Sequence, residues 1–352
     1  MLTKEQTNVL YKIVNDIRKK NKQQLTLGGF AGTGKSFLIG YLLNFFPNYV
    51  ACAFTGKAAN VLRRRKIPAN TIHSLIYEPL KSDDGNVIFI LRDHIDCDGF
   101  VVDESSMVSE EIYQDLASFG LPMIFVGDHG QLEPVGTNFN LMENPDYCLE
   151  TIHRNAGEIA RFAEWLRKGK SPFSFDGDNS QVNICLSKNV SIENYAEASQ
   201  VICAYNATRV NVNAKIREHL GYKGIINTGE KIICIQNNKK IGIFNGMQGN
   251  VNDLYEKGNK KYLDFMTDQG LYEEIYYDEK QFGQEKSFVE WNENMPNPFD
   301  YAPCITCHKG QGDEFDHVHV IEQRCNKWNH RRWSYTAASR ARTKLVWELS
   351  DY

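Results

Sequence analysis

The chain has no excess of charge of either sign: 40 Lys and Arg stand against 44 Asp and Glu in 352 residues, a formal charge of −4. That excludes a histone-like polycation. Any surface for nucleic acid must be a local basic patch on a neutral to acidic background. No internal repeat and no low-complexity tail interrupts the ordinary globular composition, 42% apolar and 24% charged. No apolar run is convincing as a membrane span. Ser36 to Gly56 carries no charge and is long enough, but Pro47-Asn48 divides it into a buried helix, a turn and a buried strand. No secretory leader opens the chain, since MLTKEQTNVLYKI is polar and helix-like. The nine cysteines are odd in number and scattered from Cys52 to Cys325, as expected of free thiols in a reducing, cytoplasmic setting. The length leaves room for two or three domains with their own cores.

What is present begins with an ambiguity. Cys304-Ile-Thr-Cys307-His308 has the C-x-x-C-H spacing of a haem attachment site. It also suits a zinc half-site or a redox pair. Haem attachment requires export, which nothing indicates. A zinc site needs four ligands, and adding Cys325 and His330 would be forced. The wider window, APCITCHKGQGDEFDHVHVI, reads as a buried strand, a polar loop and a second strand, with both cysteines as small apolar filler.

The strongest local signal is Gly29-Phe-Ala-Gly32-Thr33-Gly34-Lys35-Ser36, a full G-x-x-x-x-G-K-S phosphate loop. QLTLGG before it reads as a buried strand and KSFLIGYLLNFF after it as a helix. Glycines let backbone N–H groups wrap phosphates at a helix start. Lys35 then reaches the β and γ phosphates, and Ser36 ligates Mg²⁺. In CDGFVVDESS an apolar strand ends in Asp103-Glu104. Asp103 is placed to hold Mg²⁺ through water. Glu104 is placed to polarise an attacking water, a role that mere binders do not need. In PMIFVGDHGQ a third strand brings the Gln131 amide to the γ phosphate. Alternating strands and helices predict a parallel, helix-covered sheet with its site at the carboxyl ends of the strands.

The ordered set LTKEQ, GGFAGTGKS, AFTGKAANVL, TIHSLIY, VVDESSMV, FVGDHGQLEPV, IHRNAGEIARFA, ITCHKGQGDEFDHV and YTAASRART resembles the superfamily 1 DNA helicases. The likeness is to the RecD-like branch and its Dda-type phage members, and it covers nearly the whole chain. The resemblance implies that Gln6 reads the adenine edge and that His153 stacks on the base. It implies that Gln311, Gly312 and Glu314 face the nucleotide. Arg154 and Arg340 would reach the γ phosphate from a second RecA-like domain as arginine fingers. Thr55, Lys57, Arg63, Thr71, His73, Thr306, His308 and Lys309 would grip the DNA backbone without reading sequence. The basic run Arg63-Arg64-Arg65-Lys66 would make that binding fall steeply with salt.

The expected fold is α/β: two RecA-like P-loop domains with parallel sheets. Residues 1–148 form the first, with a short pin insertion at about 79–98 in which SDDGN is a hairpin turn and Phe89 a candidate wedge. Residues 149–228 and 300–352 form the second. The insert 229–299, with the short runs KIICIQ, GNVNDLY, KKYLDFMT and EEIYYDE, predicts a small SH3-like β-barrel. The expected activity is ATP- and Mg²⁺-dependent translocation on single-stranded DNA, 5′ to 3′, with unwinding at duplex junctions. The alternative is an ATP-switched DNA-binding or recruitment module that does not unwind. A monomer is expected, with no membrane role, in a bacterial or phage-infected cytoplasm. A single-strand-binding protein or replisome component is the expected protein partner. Replication, recombination and repair are not distinguished.

Overall fold

A computed structural model describes residues 2–81, 87–132, 139–151, 157–177, 180–238, 240–268, 270–286, 295–326 and 328–350, the side chains of residues 57, 79–81 and 87–89 excepted. The chain divides into two compact units, Met1–Gly157 and Glu158–Tyr352.

The first unit opens with helix α1 (Lys4–Lys20), started by a capping box between Thr3 and Gln6 and stopped at Asn21, a left-handed residue with φ 50°. Then follow β1 (Gln24–Gly29), α2 (Lys35–Phe45), β2 (Tyr49–Ala53), α3 (Gly56–Arg64), β3 (Ala69–Thr71) and α4 (Ile72–Ile76). The hairpin β4 (Tyr77–Lys81) and β5 (Val87–Leu91) precedes β6 (Gly99–Asp103), α5 (Glu110–Ser118), β7 (Met123–Gly127) and β8 (Tyr147–Leu149). Six strands form one parallel sheet in the order β3-β2-β6-β7-β1-β8. Alternate residues face opposite layers. Val101, Ile124 and Val126 meet α1 and α2 on one side. Phe100, Val102 and Phe125 meet α4 and α5 on the other. Burial on both faces explains why these strands read as continuous apolar runs. The short pin insertion is the antiparallel pair β4–β5, in which Lys81 faces Val87. Its SDDGN turn and the Phe89 side chain lie outside the described residues.

The second unit contains α6 (Glu158–Arg167), β9 (Val182–Leu186), α7 (Ile192–Ala196), β10 (Gln200–Cys203) and α8 (Asn206–His219). The strands β11 (Lys231–Cys234), β12 (Gln248–Lys257), β13 (Lys260–Thr267), β14 (Gly270–Asp278) and β15 (Asn297–Tyr301) close into a barrel. Four of them coincide with the four short runs read from the sequence. The barrel is filled by Ile232, Val251, Leu263, Phe265, Ile275 and Phe299. After it come β16 (Cys304–Thr306), β17 (Phe315–Ile321), α9 (His330–Ala338) and β18 (Ala341–Leu349). The second sheet is parallel, in the order β16-β10-β17-β18-β9. Helix α8 fastens barrel to sheet. Arg209 pairs with buried Asp300 of β15, and Arg217 pairs with Glu230 just before β11. Asn213 donates to the carbonyls of Tyr301 at 3.2 Å and Cys304 at 2.9 Å. The barrel is thus held by charges that would be costly to leave unpaired.

Candidate functional site

Three adjacent strands, β6, β7 and β1, bring their carboxyl ends together in the first unit. The phosphate loop follows β1. Gly32 and Gly34 have φ of 83° and 84°, the left-handed region that favours glycine. A Cβ on Gly34 would also lie 2.5 Å from Gln6 Nε2. Buried Thr33 closes the loop, its hydroxyl donating to the Phe30 carbonyl at 2.9 Å. Lys35 Nζ donates to the carbonyls of Gly29 at 2.7 Å and Phe30 at 3.0 Å. The loop therefore folds on its own bonds and opens directly into α2, whose first N–H groups make an anion site.

Gln6 is buried and serves twice. Its carbonyl accepts from the Thr3 amide at 3.0 Å, and its Nε2 donates to the Thr33 carbonyl at 2.9 Å. The amide expected at the adenine edge therefore also buttresses the phosphate loop. An amide has two donors and two lone pairs, so these bonds use half its capacity.

Asp103 ends β6, buried, with the Ser36 hydroxyl near enough to favour its charged form. Burial pushes its carboxyl up from the usual range, against the pull of the Glu104 amide, Lys35, Ser36 and Arg65. A hydroxyl and a carboxylate near one another beside a phosphate loop are the hard oxygen donors that suit Mg²⁺, which keeps most of its shell for water and phosphate. Glu104 follows in the left-handed region, φ 54° and ψ 39°, where a non-glycine residue is strained. Its amide donates to Asp103 Oδ1 at 2.9 Å. The chain turns abruptly where a base is expected. Buried Gln131, after β7, is held by Asp128 Oδ2 at 3.2 Å.

Arg65, seen in the sequence only as one of a basic run, contributes to the field at Asp103. It borders a cavity of about 490 Å³ that runs along α2 and includes Ser36, Gly40 and Asn44. No local pattern singles it out from its neighbours, because its approach to Asp103 depends on how α3 packs beside α2.

Thr55 lies two residues past the end of β2, and Thr71 is the last residue of the paired strand β3, where it faces Ala53. Each caps a helix: Thr55 accepts from the Ala58 amide and Thr71 from the Ser74 amide, both at 3.1 Å. His73 is exposed beside them. Arg63 is not brought to this edge. It lies at the far end of α3, where its Nε donates to the carbonyl of Ala69, the first residue of β3, at 2.9 Å. The Lys57 side chain, His153 and Arg154 lie outside the described residues.

In the second unit the loop from Cys307 to Glu314 runs from the carboxyl end of edge strand β16, past β10, to the amino end of central strand β17. Thr306 ends β16, level with Cys203 at the end of β10. Gln311, Gly312 and Glu314 lead into the amino end of β17, where the Phe315 amide donates to the Arg340 carbonyl at 2.8 Å. Residues assigned by resemblance to DNA and to nucleotide thus sit at opposite ends of one loop. Buried Arg340 braces it: Nε donates to Thr336 O at 3.0 Å, Nη1 to Asp313 O at 3.0 Å and Nη2 to Ser339 Oγ at 2.9 Å. The barrel braces it from the other side. Lys309 Nζ donates to Asn245 Oδ1 at 2.6 Å, and Gln248 Nε2 to Asp313 Oδ2 at 3.4 Å. His308 lies against Trp328, ring centroids 6.2 Å apart, and burial pushes its pKa down. The ammonium of Lys309 reaches the surface from a densely packed neighbourhood, and that burial pushes its pKa down too.

Cys304 and Cys307 are wholly buried. Cys304 Sγ lies 3.7 Å from Cys203 Sγ, and Cys307 Sγ lies 3.8 Å from the Trp333 carbonyl. Burial pushes the Cys307 thiol up to about 12 and that of Cys304 well above its ordinary value. Both act as neutral filler, Cys304 in β16 and Cys307 in the turn just after it.

The chain matches the family model described as AAA domain over residues 1–185 and that of the UvrD-like helicase C-terminal domain over residues 301–346. It is 26% identical over 441 residues to an uncharacterized protein of Methanocaldococcus jannaschii, covering 91% of this chain and 36% of that one. It is 30% identical over 190 residues to the ATP-dependent DNA helicase Dda of Enterobacteria phage T4, covering 48% and 43%. The chain spans less than half the length of these curated relatives. The fold is similar to the crystal structure of Bacteroides Pif1 bound to ssDNA, with a TM-score of 0.66 at 19% identity, over 99% of this chain and 92% of that one.

Proposed function

Since this chain belongs to the AAA-domain family, and within it to the superfamily 1 helicases of the Dda and Pif1 kind, we propose that it hydrolyses ATP to move along single-stranded DNA and unwind duplex junctions. The observation that carries this reading is the Asp103–Ser36 pair with strained Glu104 beside the phosphate loop. A module that only binds nucleotide needs the loop but not a carboxylate held in a costly backbone conformation next to it.

In this reading Lys35 and the α2 N-terminus neutralise the phosphates, and Ser36 and Asp103 hold Mg²⁺. When bound, the ion draws charge from the γ phosphate. Glu104 takes the proton of the attacking water, and Gln131 orients that water. Gln6 and His153 hold the base, with Gln311, Gly312 and Glu314 contributing to nucleotide binding. Arg154 and Arg340 stabilise the transferring phosphoryl group. Thr55, Lys57, Thr71, His73, Thr306, His308 and Lys309 hold the DNA backbone. Arg63 belongs to the same proposed set, and its contact with DNA would be made from the far end of α3, where its Nε is tied to the Ala69 carbonyl. The loop joining Thr306 to Glu314 passes the nucleotide state to the strand. The domain limits 1–148, 149–228 with 300–352, and 229–299 for the barrel insert are part of the same reading. So are 5′-to-3′ movement, a monomer, a replisome or single-strand-binding partner, and a bacterial or phage-infected cytoplasm.

The test is strand displacement on 5′-tailed and 3′-tailed duplexes with ATP and Mg²⁺. Unwinding of the 5′-tailed substrate alone is expected. Unwinding of the 3′-tailed substrate alone would reverse the polarity. DNA-stimulated turnover without unwinding would favour a recruitment module, a reading supported by the five-residue strands of the pin. No DNA-stimulated turnover at all would overturn the class.

A further inference from the structure

The barrel insert carries a feature that the proposed reaction does not use. On the outer face of β12–β14, Tyr255, Tyr262 and Tyr276 are direct cross-strand partners. Tyr255 and Tyr262 stack with centroids 5.9 Å apart and planes 10° apart, and Tyr276 continues the row at 5.7 Å. The residues beneath them, Leu263 and Ile275, point into the core. All three rings are partly exposed.

Cations already sit over these rings. Lys257 Nζ is 5.4 Å from the Tyr255 centroid and 5.7 Å from that of Tyr262, and Lys260 Nζ is 5.0 Å from that of Tyr276. Acidic groups complete the surroundings: Lys257 pairs with Glu274, and Lys261 with Glu279 and Glu256. Between Asp253 and Glu279 there are eight carboxylates and three lysines, a formal −5 against −4 for the entire chain. This ribbon therefore holds the negative charge that the rest of the chain lacks.

The backbone is shaped to present that charge. The ladder shifts register at Val251/Asp253 and again at Leu263/Phe265. Glu274 sits at the second irregularity with φ 56°, strained for a glutamate. Asp264 Oδ1 accepts from both the Glu274 amide and the Tyr255 hydroxyl, each at 3.0 Å. One carboxylate thus fixes both the strained turn and the end of the tyrosine row.

We propose that this face docks an arginine- and lysine-rich segment of a protein partner. Cation–π attraction and carboxylate pairing act together on such a segment, and an arginine exceeds the resident lysines in both, stacking flat while binding a carboxylate with two N–H groups. A nucleic-acid strand would find the rings suitable for stacking but would meet net repulsion within a Debye length of about 10 Å. A second copy of the chain would present the same sign of charge.

The test uses the full chain and a fluorescein-labelled dodecapeptide of alternating arginine and glycine, followed by anisotropy. A glutamate–glycine peptide and a thymidylate dodecamer serve as comparisons. The arginine peptide is expected to bind saturably and more weakly as salt rises, while the glutamate peptide does not bind. Tyr262→Thr with Tyr276→Thr should weaken binding at least tenfold, and Tyr262→Phe with Tyr276→Phe should keep it within twofold. Glu256→Gln with Glu274→Gln retains every ring and should weaken binding several-fold, so the outcome does not depend on one variant folding. Absence of saturable binding, or affinity unchanged from that of the unaltered chain in both the threonine and the glutamine variants, overturns the proposal. Loss of thymidylate binding in the threonine variant with peptide binding unchanged also overturns it and assigns the face to nucleic acid. Neither outcome touches the proposed ATPase, because none of these residues belongs to it.

Discussion

The loop after β1 and the loop after β16 are both short, polar and expected to meet the nucleotide, yet they are held in different ways. The first is fixed by bonds spanning three to six residues: Thr33 to Phe30, and Lys35 to Gly29 and Phe30. Gln6 reaches it from 27 residues earlier in the chain, and the His129 ring packs on that of Phe30 with centroids 4.3 Å apart. The second has short-range turns of its own, such as Gly310 to Thr306 and Asp313 to Gly310, but is fixed in addition by bonds from distant segments: Asn245 to Lys309 across 64 residues, Gln248 to Asp313 across 65, and Arg340 to Asp313 across 27. A loop that closes on itself is suited to a ligand whose shape never changes, such as a phosphate chain. A loop held from outside follows whatever its supports do, which suits one that relays a state.

Four substitutions sharpen this contrast, ordered from the largest expected effect. Lys35→Ala removes the first loop's own cation. ATP turnover should fall at least ~100-fold, measured by phosphate release, while DNA affinity stays within a few-fold. Arg340→Ala removes a brace of the second loop together with its proposed finger. Hydrolysis should fall roughly 100-fold or more while a fluorescent ATP analogue still binds. Normal turnover would refute the finger role. Lysine at that position should not restore it, since one ammonium cannot reproduce the three bonds that the guanidinium nitrogens make.

Asp300→Ala leaves Arg209 buried without its partner. It should cost about 3–5 kcal/mol in denaturant unfolding of the second unit. At temperatures where the protein stays folded, it should reduce DNA-stimulated turnover more than nucleotide affinity. An equal loss of both would mean that the barrel matters no more to one loop than to the other. Asn245→Ala removes the bond to Lys309 and should cost about 1 kcal/mol. Its expected signature is weaker DNA binding with unchanged ATP affinity. If DNA binding is unchanged as well, the barrel-to-loop bond is only structural.

Legibility followed the range of these bonds. The phosphate loop, the strand ends carrying Asp103 and Gln131, and the four barrel runs were visible because glycine placement and period-2 alternation are local properties. The second role of Gln6 was not, because it depends on α1 lying against the phosphate loop. The influence of Arg65 on Asp103 was equally hidden: in the sequence it is one of four successive basic residues, and only the packing of α3 separates it from Arg63, whose Nε is tied to the start of β3. The C-x-x-C-H spacing misleads for the same reason. Spacing cannot show that both thiols face a dry interior that keeps them protonated.

The sequence by itself determined which segments are strands, where the phosphate loop lies and which family the motif order belongs to, since each depends on residue types within a few positions of one another. Only the tertiary structure decided which side chains share an environment. It set Ser36 against Asp103 and strained Glu104 at the end of β6. It hung the 307–314 loop between barrel and α9, and it aligned Tyr255, Tyr262 and Tyr276 in one row across three strands. Such placements arise from strand order and helix packing, which sum over the whole core and leave no mark on any short stretch of residues.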